Sequence, residues 1–354
     1  MRSLRFVCVL SMIGCGSGEP SPAADTSSGG GSSSGGSSSG GSSSGASWSS
    51  DSSSGDETTS STTSSESSDS GAPVDSGLEL LVCSFSSDKV SRFDLDDGAW
   101  LGDLGPTDDL DGALGIVVGA DGDIYVGSEE SNMVLRFSGA DGSFVARFVA
   151  DDPATRGMDE TGGLSGPGAV LFGPDGSLFV SSFDSDAILR YDGATGAFLD
   201  VFADMGVDGP DAGMVFDDDG NLYVPSYYGN AIVRYDSTGA SLGDFATDML
   251  DAPRTVLFEG EHMYVANEGT SEVLRFDPTN GAFVDVFVEA GAGGLNGAAG
   301  MVFDPSGVLH VASVNNNRVL RFDADGQPLD TLVDAIAGGV SGPTHLTIAP
   351  TIAD

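Results

Sequence analysis

Basic residues are scarce in this chain. Only 13 of its 354 residues are lysine or arginine, against 54 acidic residues, which leaves a formal net charge of −41. A field of this sign repels nucleic acid and anionic lipid headgroups, so we expect neither as a partner. The same field favours solubility and attracts cations or basic partners.

Cysteine is also too scarce for a disulfide framework. The chain holds three, Cys8, Cys15 and Cys83. The first two lie in a short apolar segment that follows Arg2 and Arg5, the pattern of an export signal. That segment is too short to remain in a bilayer as a spanning helix. Cys83 is then the lone thiol of the remaining chain, and we expect it to be a small buried residue.

The export signal ends in Met-Ile-Gly-Cys, which resembles the lipobox of bacterial lipoproteins. The resemblance implies cleavage before Cys15 and attachment of a lipid to that residue. Gly16 is not the Asp that retains lipoproteins in the inner membrane. We therefore expect a lipid anchor at the outer membrane or cell surface of a bacterial envelope, with membrane contact only through the lipid. A secreted protein is the alternative.

Apolar residues are nearly absent from residues 16–77, which are mostly Ser, Gly, Thr and Asp. Such a segment buries too little apolar surface to offset its ordering entropy, so we predict a disordered tether. The composition thus divides the chain into a signal (1–15), a linker (16–77) and one folded domain (78–354).

The folded domain repeats itself. A phrase of a hydrophobic residue, an arginine and an aromatic residue, followed by a Gly turn, occurs six times at intervals of 41 to 54 residues. Each unit contains four short hydrophobic segments separated by Asp-Gly, Thr-Gly or Asn-Gly turns. Four antiparallel strands per unit indicate the blade of a β-propeller. The repeated arginines are Arg92, Arg136, Arg190, Arg234, Arg275 and Arg321.

The two ends of the domain complete each other. With the strands of a blade named a to d, the first unit lacks strand a, and residues 342–350 form a strand a with nothing after it. Pairing them closes the ring and removes exposed sheet edges. We predict an all-β, six-bladed propeller with four antiparallel strands per blade, and we expect a monomer.

The blocks GNLYVPSYYGNAIVRYD and GSLFVSSFDSDAILRYD resemble the NHL-repeat propellers and their streptogramin lyase and gluconolactonase-like relatives. The resemblance implies the six-bladed fold, whereas the functions of such propellers are diverse. Gluconolactonase-like propellers hold a divalent cation at the channel mouth, so Ca²⁺ is an option here, although we predict no cofactor. Candidate ligands are Glu129, Asp184, Asn267, Glu268 and Asn315.

The two faces of the predicted ring differ. The a–b and c–d turns are short and uniform, whereas the d–a and b–c loops are long and varied, so we expect the d–a face to bind a protein or glycan partner. The candidate binding residues are Asp108, Asp109, Glu129, Asp159, Glu160, Tyr227, Tyr228, Asn267, Glu268 and Asn315.

We interpret the six arginines as structural. They lie in strand c, away from the axis, and a single ligand site rarely needs six copies. In five of six repeats an acid follows two residues later, on the same strand face. These pairs predict a guanidinium paired between packed blades. The acids are Asp94, Asp192, Asp236, Asp277 and Asp323, and Ser138 is the exception.

His345 and Arg254 are the odd polar residues at the start of strand a, where the other repeats carry small or apolar residues. They are candidates for a general base and an anion clamp, or else a structural histidine and a rim arginine. The three histidines occupy inequivalent repeat positions and cannot converge on zinc. We favour a non-enzymatic binding module over the alternative, a metal-dependent lactonase or lyase with its site at the channel mouth.

Overall fold

The computed structural model describes residues 76–151, 154, 159–211 and 213–353. The predicted signal, Cys15 and almost all of the predicted linker lie outside the described residues. Within these ranges no helix is long and apolar enough to cross a membrane.

Within the described residues, twenty-four strands form six antiparallel four-stranded sheets, the blades. Blade 1 holds β24 (Pro343–Pro350), β1 (Leu78–Ser84), β2 (Lys89–Asp94) and β3 (Trp100–Asp103). Blade 2 holds β4 (Ala113–Val118), β5 (Ile124–Ser128), β6 (Met133–Phe137) and β7 (Phe144–Val149). Blade 3 holds β8 (Pro167–Phe172), β9 (Leu178–Ser182), β10 (Ala187–Tyr191) and β11 (Phe198–Ala203).

The remaining blades follow the same order. Blade 4 holds β12 (Val215–Phe216), β13 (Leu222–Ser226), β14 (Ala231–Tyr235) and β15 (Ser241–Ala246). Blade 5 holds β16 (Pro253–Glu259), β17 (His262–Asn267), β18 (Glu272–Phe276) and β19 (Phe283–Val288). Blade 6 holds β20 (Ala298–Phe303), β21 (Leu309–Ser313), β22 (Arg318–Phe322) and β23 (Pro328–Val333).

The ring closes as predicted. The C-terminal strand β24 pairs with β1 in antiparallel register, with Leu80 opposite Ile348 and Val82 opposite Leu346. The six-bladed all-β fold and its closure by the two chain ends are therefore confirmed. Cys83 is fully buried in β1, and burial raises the pKa of its thiol well above the ordinary value.

Neighbouring blades pack through aromatic residues at equivalent positions. The rings of Tyr125 and Phe172, from blades 2 and 3, meet edge to face with centroids 5.0 Å apart. Tyr223 and Phe258, from blades 4 and 5, are also 5.0 Å apart. Each such pair contributes about 0.5–1.5 kcal/mol beyond the area that it buries.

The upper face of the propeller consists of the b–c and d–a loops, and the lower face of the a–b and c–d turns. Two hydrogen bonds recur around the upper face. First, the buried polar residue that ends each strand b accepts a backbone N–H of the d–a loop entering its own blade. These residues are Ser84, Ser128, Ser182, Ser226, Asn267 and Ser313.

Second, the residue just before each strand c has a positive φ, and its side chain accepts a backbone N–H from the d–a loop entering the next blade. Asp and Asn tolerate this conformation because their short polar side chains bond locally. The varied loops of the upper face thus rest on a uniform scaffold. The six residues are Asp88, Asn132, Asp186, Asn230, Ser271 and Asn317.

The repeated arginines do form ion pairs, but not with the predicted acids. Arg190 donates to Asp200 at 3.0 Å and Arg275 to Asp285 at 2.8 Å, and each acid lies opposite its arginine on strand d. The acid two residues after the arginine instead accepts backbone N–H groups of the c–d turn, as Asp192 does from Ala194. The predicted pairing is therefore wrong, because a turn-forming Asp bonds its own turn first.

The other repeats vary this scheme. Arg321 donates to Asp330 at 2.7 Å, as in blades 3 and 5. Arg92 donates to the buried Glu79 at 3.0 Å, and Arg136 to Asp123 at 2.7 Å. Arg234 has no carboxylate partner among the described residues. Its guanidinium lies over the rings of Tyr223 and Phe245, 5.9 Å and 5.0 Å from their centroids.

Candidate functional site

The segment that leads into strand a contains one residue more in blade 4 than in blade 5. Pro210 pairs with Ser226 and Pro253 pairs with Asn267, so the two prolines are equivalent. Two residues separate Pro210 from Gly213, whereas only Arg254 separates Pro253 from Thr255. The extra residue places Asp211 in the loop beside the axis.

Blades 4 and 5 are joined where this extra residue lies. Gly213 and Thr255 form a parallel bridge, with Gly213 N–H donating to the Arg254 carbonyl at 3.0 Å. Val256 N–H returns a hydrogen bond of 2.9 Å to the Gly213 carbonyl. Asp211 is thereby held next to the Arg254 side chain.

Arg254 is the centre of a buried charged cluster. Only 1% of the residue is exposed. Its Nη1 is 3.3 Å from a carboxylate oxygen of the fully buried Asp211, and its Nε donates to Glu268. Its guanidinium also lies 4.8 Å from the centroid of the Tyr227 ring. These partners hold the guanidinium in the protein interior. Arg254 is therefore not placed to act as the predicted anion clamp for a ligand.

Two opposing effects set the charge of this cluster. Burial disfavours ionisation of Arg254, but Asp211 and Glu268 outweigh it and raise the pKa of the guanidinium further. Burial raises the pKa of Asp211, and the charge of Arg254 counteracts part of that increase. One guanidinium therefore faces two carboxyl groups in the protein interior.

Glu129, from the b–c loop of blade 2, stands within electrostatic reach of the cluster. Burial, together with the negative charges of Glu130 and Asp184, raises the pKa of Glu129 to about 8, and Arg254 opposes the increase. Its Oε2 is buried without a hydrogen-bond partner among the described residues. This shift favours the protonated form of the Glu129 carboxyl at neutral pH.

The predicted base, His345, is fully buried at the start of β24. A Cβ added to Gly300 would come within 2.8 Å of the His345 Cα, and one added to Gly115 within 2.2 Å of the Gly168 carbonyl oxygen. The small residues at the start of strand a are thus packing requirements between blades. A general base must reach its substrate, so a base role for His345 does not fit this packed position.

An aromatic shelf, formed by Phe183, Tyr227 and Tyr228, lies over the buried cluster. Tyr227 and Tyr228 have centroids 5.2 Å apart, and Phe183 and Tyr228 are 5.5 Å apart. Tyr228 is 55% exposed, whereas Phe183 is buried. The shelf is fixed from below, because Tyr227 packs on the guanidinium of Arg254.

The structure brings four of the predicted binding residues to this region and separates the others. Glu129, Tyr227, Tyr228 and Glu268 belong to the shelf or the charged cluster. The remaining six have other surroundings or other partners. They are Asp108, Asp109, Asp159, Glu160, Asn267 and Asn315.

Several of these six form hydrogen bonds to other residues of the protein. Asp109 accepts from Arg147 at 2.8 Å, and that hydrogen bond lowers the pKa of its carboxyl. Asp159 accepts from Thr161. Asn267 is buried and exchanges hydrogen bonds with the d–a loop, so its amide is not available to a ligand. Asn315 donates to Asn296 at 3.3 Å, and Asp108 and Glu160 are exposed.

The candidate metal ligands are not gathered into one site. Asn267 serves the loop scaffold and Glu268 holds Arg254. Within residues 76–151, 154, 159–211 and 213–353, no three His, Cys, Asp or Glu side chains are arranged to hold a metal ion.

Sequence reasoning missed Asp211 and Phe183. The signal for Asp211 was present in GPDAGM (209–214), which is one residue longer than GPGAV (166–170) and APRTV (252–256). Aligning the repeats at this proline would have shown an acid inserted beside the exceptional arginine. Phe183 carries no such signal, because aromatic residues also fill the core.

No family model matches the chain, and no curated protein matches it. Solved structures do match. A chain of the nidogen/laminin complex aligns with a TM-score of 0.61 and 19% identity, covering 78% of this chain and all of that one. The fold is shared. A protein of unknown function from Bacteroides caccae follows, with a TM-score of 0.57 and 14% identity, covering 76% of this chain and 98% of that one.

Virginiamycin B lyase from Staphylococcus aureus aligns with a TM-score of 0.51 and 12% identity, covering 73% of this chain and 90% of that one. At these identities the likeness establishes the fold alone. The predicted resemblance to propellers of the NHL and streptogramin lyase type is confirmed at that level.

Proposed function

We propose that the protein is a binding module that captures a protein partner on the upper face of its propeller. The observation that carries the proposal is the aromatic shelf, a partly exposed group of three rings fixed over a buried charged cluster. Exposed aromatic residues on a rigid support are typical anchors of binding surfaces. The predicted lipid anchor and tether would hold the propeller clear of the membrane surface.

The arrangement suits binding because little has to be ordered when a partner arrives. The two repeated hydrogen bonds hold the b–c and d–a loops to each other, and Arg254 holds Tyr227. A surface that is already ordered loses less conformational entropy on association. The nidogen/laminin structure is a complex between proteins, which supports a protein partner by analogy. A glycan is an outcome that the experiment can reveal.

The experiment is a binding survey with the full chain on arrays of peptides and of glycans. Each hit is measured again with Tyr228→Ala and with Leu242→Ala, a matched control whose side chain is 48% exposed on strand d of blade 4. We expect Tyr228→Ala to weaken binding at least about tenfold and Leu242→Ala to change it by less than about twofold. Hits that respond equally to both variants would refute the upper face as the binding surface.

A second candidate function rests on Glu129. A carboxyl that keeps its proton at neutral pH can act as a general acid, and Glu129 lies near the axis on the upper face. The alternative is thus a lactonase or lyase, and one structural neighbour is virginiamycin B lyase. A panel of lactones and cyclic esters tests it. Turnover that Glu129→Gln abolishes would favour this candidate, and turnover that Glu129→Gln leaves intact would exclude Glu129 as the acid.

A further inference from the structure

The lower face carries a cleft between blades 4 and 5 that the proposed function does not use. Its volume is about 600 Å³. Tyr223, Phe258, Pro278 and Val284 form its apolar walls. Three other clefts of the lower face are smaller, with volumes of about 300, 360 and 230 Å³.

A shortened hairpin borders the cleft. In blade 3, five residues separate the paired Phe172 and Leu178 in the a–b turn. Blades 2, 4 and 6 have the same spacing. In blade 5 only four residues separate Phe258 from Met263, and Glu259 pairs directly with His262. The a–b turn of blade 5, which lines the cleft, is thus one residue shorter than the a–b turns of blades 2, 3, 4 and 6.

The charges around this cleft are almost all of one sign. Five carboxylates line it, and the lining includes neither Lys nor Arg. Asp217 and Asp277 bond their own turns, through Asn221 and Thr279 respectively. The other three are exposed and make no side-chain ion pair within the described residues. They are Asp218, Asp219 and Glu261.

The neighbouring cleft between blades 3 and 4 shows what is different. There Arg190 lines the cleft and is bound to Asp175 and Asp200. The equivalent arginine of blade 4 is Arg234, which packs on Tyr223 and Phe245 and does not line the larger cleft. The larger cleft therefore lacks the cation that its neighbour supplies from within.

One further polar group is available in the larger cleft. His262 lines it, and its Nδ1 is buried without a hydrogen-bond partner among the described residues. A neutral imidazole nitrogen that carries no proton accepts a hydrogen bond. The cleft thus offers acceptors and apolar walls but no basic donor on Lys or Arg.

We propose that this cleft binds the side chain of an arginine or lysine from a basic protein segment. The aliphatic part of such a side chain packs on Pro278 and Val284, and its charged end meets the exposed carboxylates. The site is separate from the aromatic shelf of the upper face, so the two proposals stand or fall independently.

The test uses two lysine substitutions at equivalent exposed positions. Val284 and Leu329 are each the second residue of strand d, in blades 5 and 6, and are 45% and 53% exposed. Val284→Lys places a cation inside the cleft, whereas Leu329→Lys adds the same charge outside it. The probes are N-acetylated, C-amidated tetra-arginine and tetra-lysine peptides, with the full chain at constant ionic strength.

We expect saturable binding that Val284→Lys weakens at least about tenfold and that Leu329→Lys changes by less than about twofold. The double variant Asp219→Asn, Glu261→Gln should weaken binding severalfold at unchanged thermal stability. Equal losses in the two lysine variants would overturn the proposal, because they would mean general attraction to an acidic protein. Absence of saturable binding to either peptide would overturn it as well.

Discussion

The upper and lower faces of this propeller hold their loops in place with different hydrogen bonds. On the upper face, loops of varied sequence are held by two hydrogen bonds that recur in all six blades. On the lower face, short turns are held by an Asp that bonds its own turn, as Asp236 does to Thr238. The varied loops of the upper face therefore also contain residues that the structure requires.

Each face has a candidate site where the number of residues in the repeat changes. The upper face gains Asp211, which meets Arg254 beneath the aromatic shelf. The lower face loses one residue in the hairpin of blade 5, which leaves the cleft beside Phe258. Both candidate sites therefore lie next to a change in the length of the repeat.

The largest expected effect separates the buried Arg254 of strand a from Arg234, one of the repeated arginines of strand c. Arg254→Met should destabilise the domain by about 3–5 kcal/mol, because Asp211 would remain buried without a cation. Arg234→Met, which breaks no ion pair within the described residues, should cost about 1 kcal/mol through lost contact with the rings. Denaturant unfolding of both variants checks this. Equal losses would mean that the buried cluster contributes nothing special.

A second prediction concerns the dependence of stability on pH. The folded protein keeps the proton of Glu129 up to a pKa of about 8, whereas the ordinary value is 4.5. Wild-type stability therefore falls as the pH rises between these two values. Glu129→Gln removes that loss. The free energy of unfolding of the variant should therefore equal that of wild type near about pH 4 and exceed it by about 1–3 kcal/mol near about pH 9.

The control for this pH prediction is Glu289→Gln, which removes an exposed carboxyl from a d–a loop. Its stability relative to wild type should not change with pH in the same way. A Glu129→Gln advantage that is constant from about pH 4 to pH 9 would contradict the raised pKa.

A third prediction tests the scaffold beneath the upper face. Ser182 is buried, accepts the Ser165 N–H at 2.8 Å and donates to the Ser165 carbonyl at 3.0 Å. Ser182→Ala leaves the Ser165 N–H without this partner and removes one of two hydrogen bonds to the Ser165 carbonyl, which also accepts the Asp184 N–H. It should cost about 1–2 kcal/mol. Ser143→Ala, at an exposed lower-face turn, removes one hydrogen bond to Asp141 and should cost less than about 0.5 kcal/mol. Thermal unfolding compares the two variants. A larger loss of stability in Ser143→Ala than in Ser182→Ala would contradict the role of Ser182 in the scaffold.

The smallest expected effect decides between the predicted and the observed arginine partner. A double-mutant cycle on Arg190 and Asp200 should give a coupling of about 0.2–1 kcal/mol, as for partly exposed ion pairs. The same cycle on Arg190 and Asp192 should give about zero, because Asp192 bonds its turn. A larger coupling in the second cycle would restore the pairing that the sequence suggested.

The fold could be read from the sequence because a period and its two incomplete ends are properties of the chain alone. The arginine partners could not, because the choice between Asp192 and Asp200 depends on the register of strands c and d. The role of Asn267 also escaped the sequence, and the sequence left His345 open between a general base and a structural histidine. Both are polar residues next to loops, and only their burial reveals that they belong to the interior.

The candidate site was foreseen in part. Arg254 stood out as an exception to the repeat, and Tyr227, Tyr228, Glu129 and Glu268 stood out as residues of the varied b–c loops. The structure gathers them. The role of Arg254 could not be read from the sequence because its side-chain partners were unknown. The inserted Asp211 pairs with Arg254 in the protein interior, so Arg254 is not an exposed cation.

We propose that the two faces carry separate sites, one beside the extra residue that enters blade 4 and one beside the shortened hairpin of blade 5. The most direct test measures wild type, Tyr228→Ala and Val284→Lys side by side against the array hits and the tetra-arginine peptide. We predict that Tyr228→Ala loses the array hits and keeps the peptide, and that Val284→Lys does the opposite. If both variants lose the same ligands to the same extent, or neither loses any, the division of binding between the two faces is contradicted.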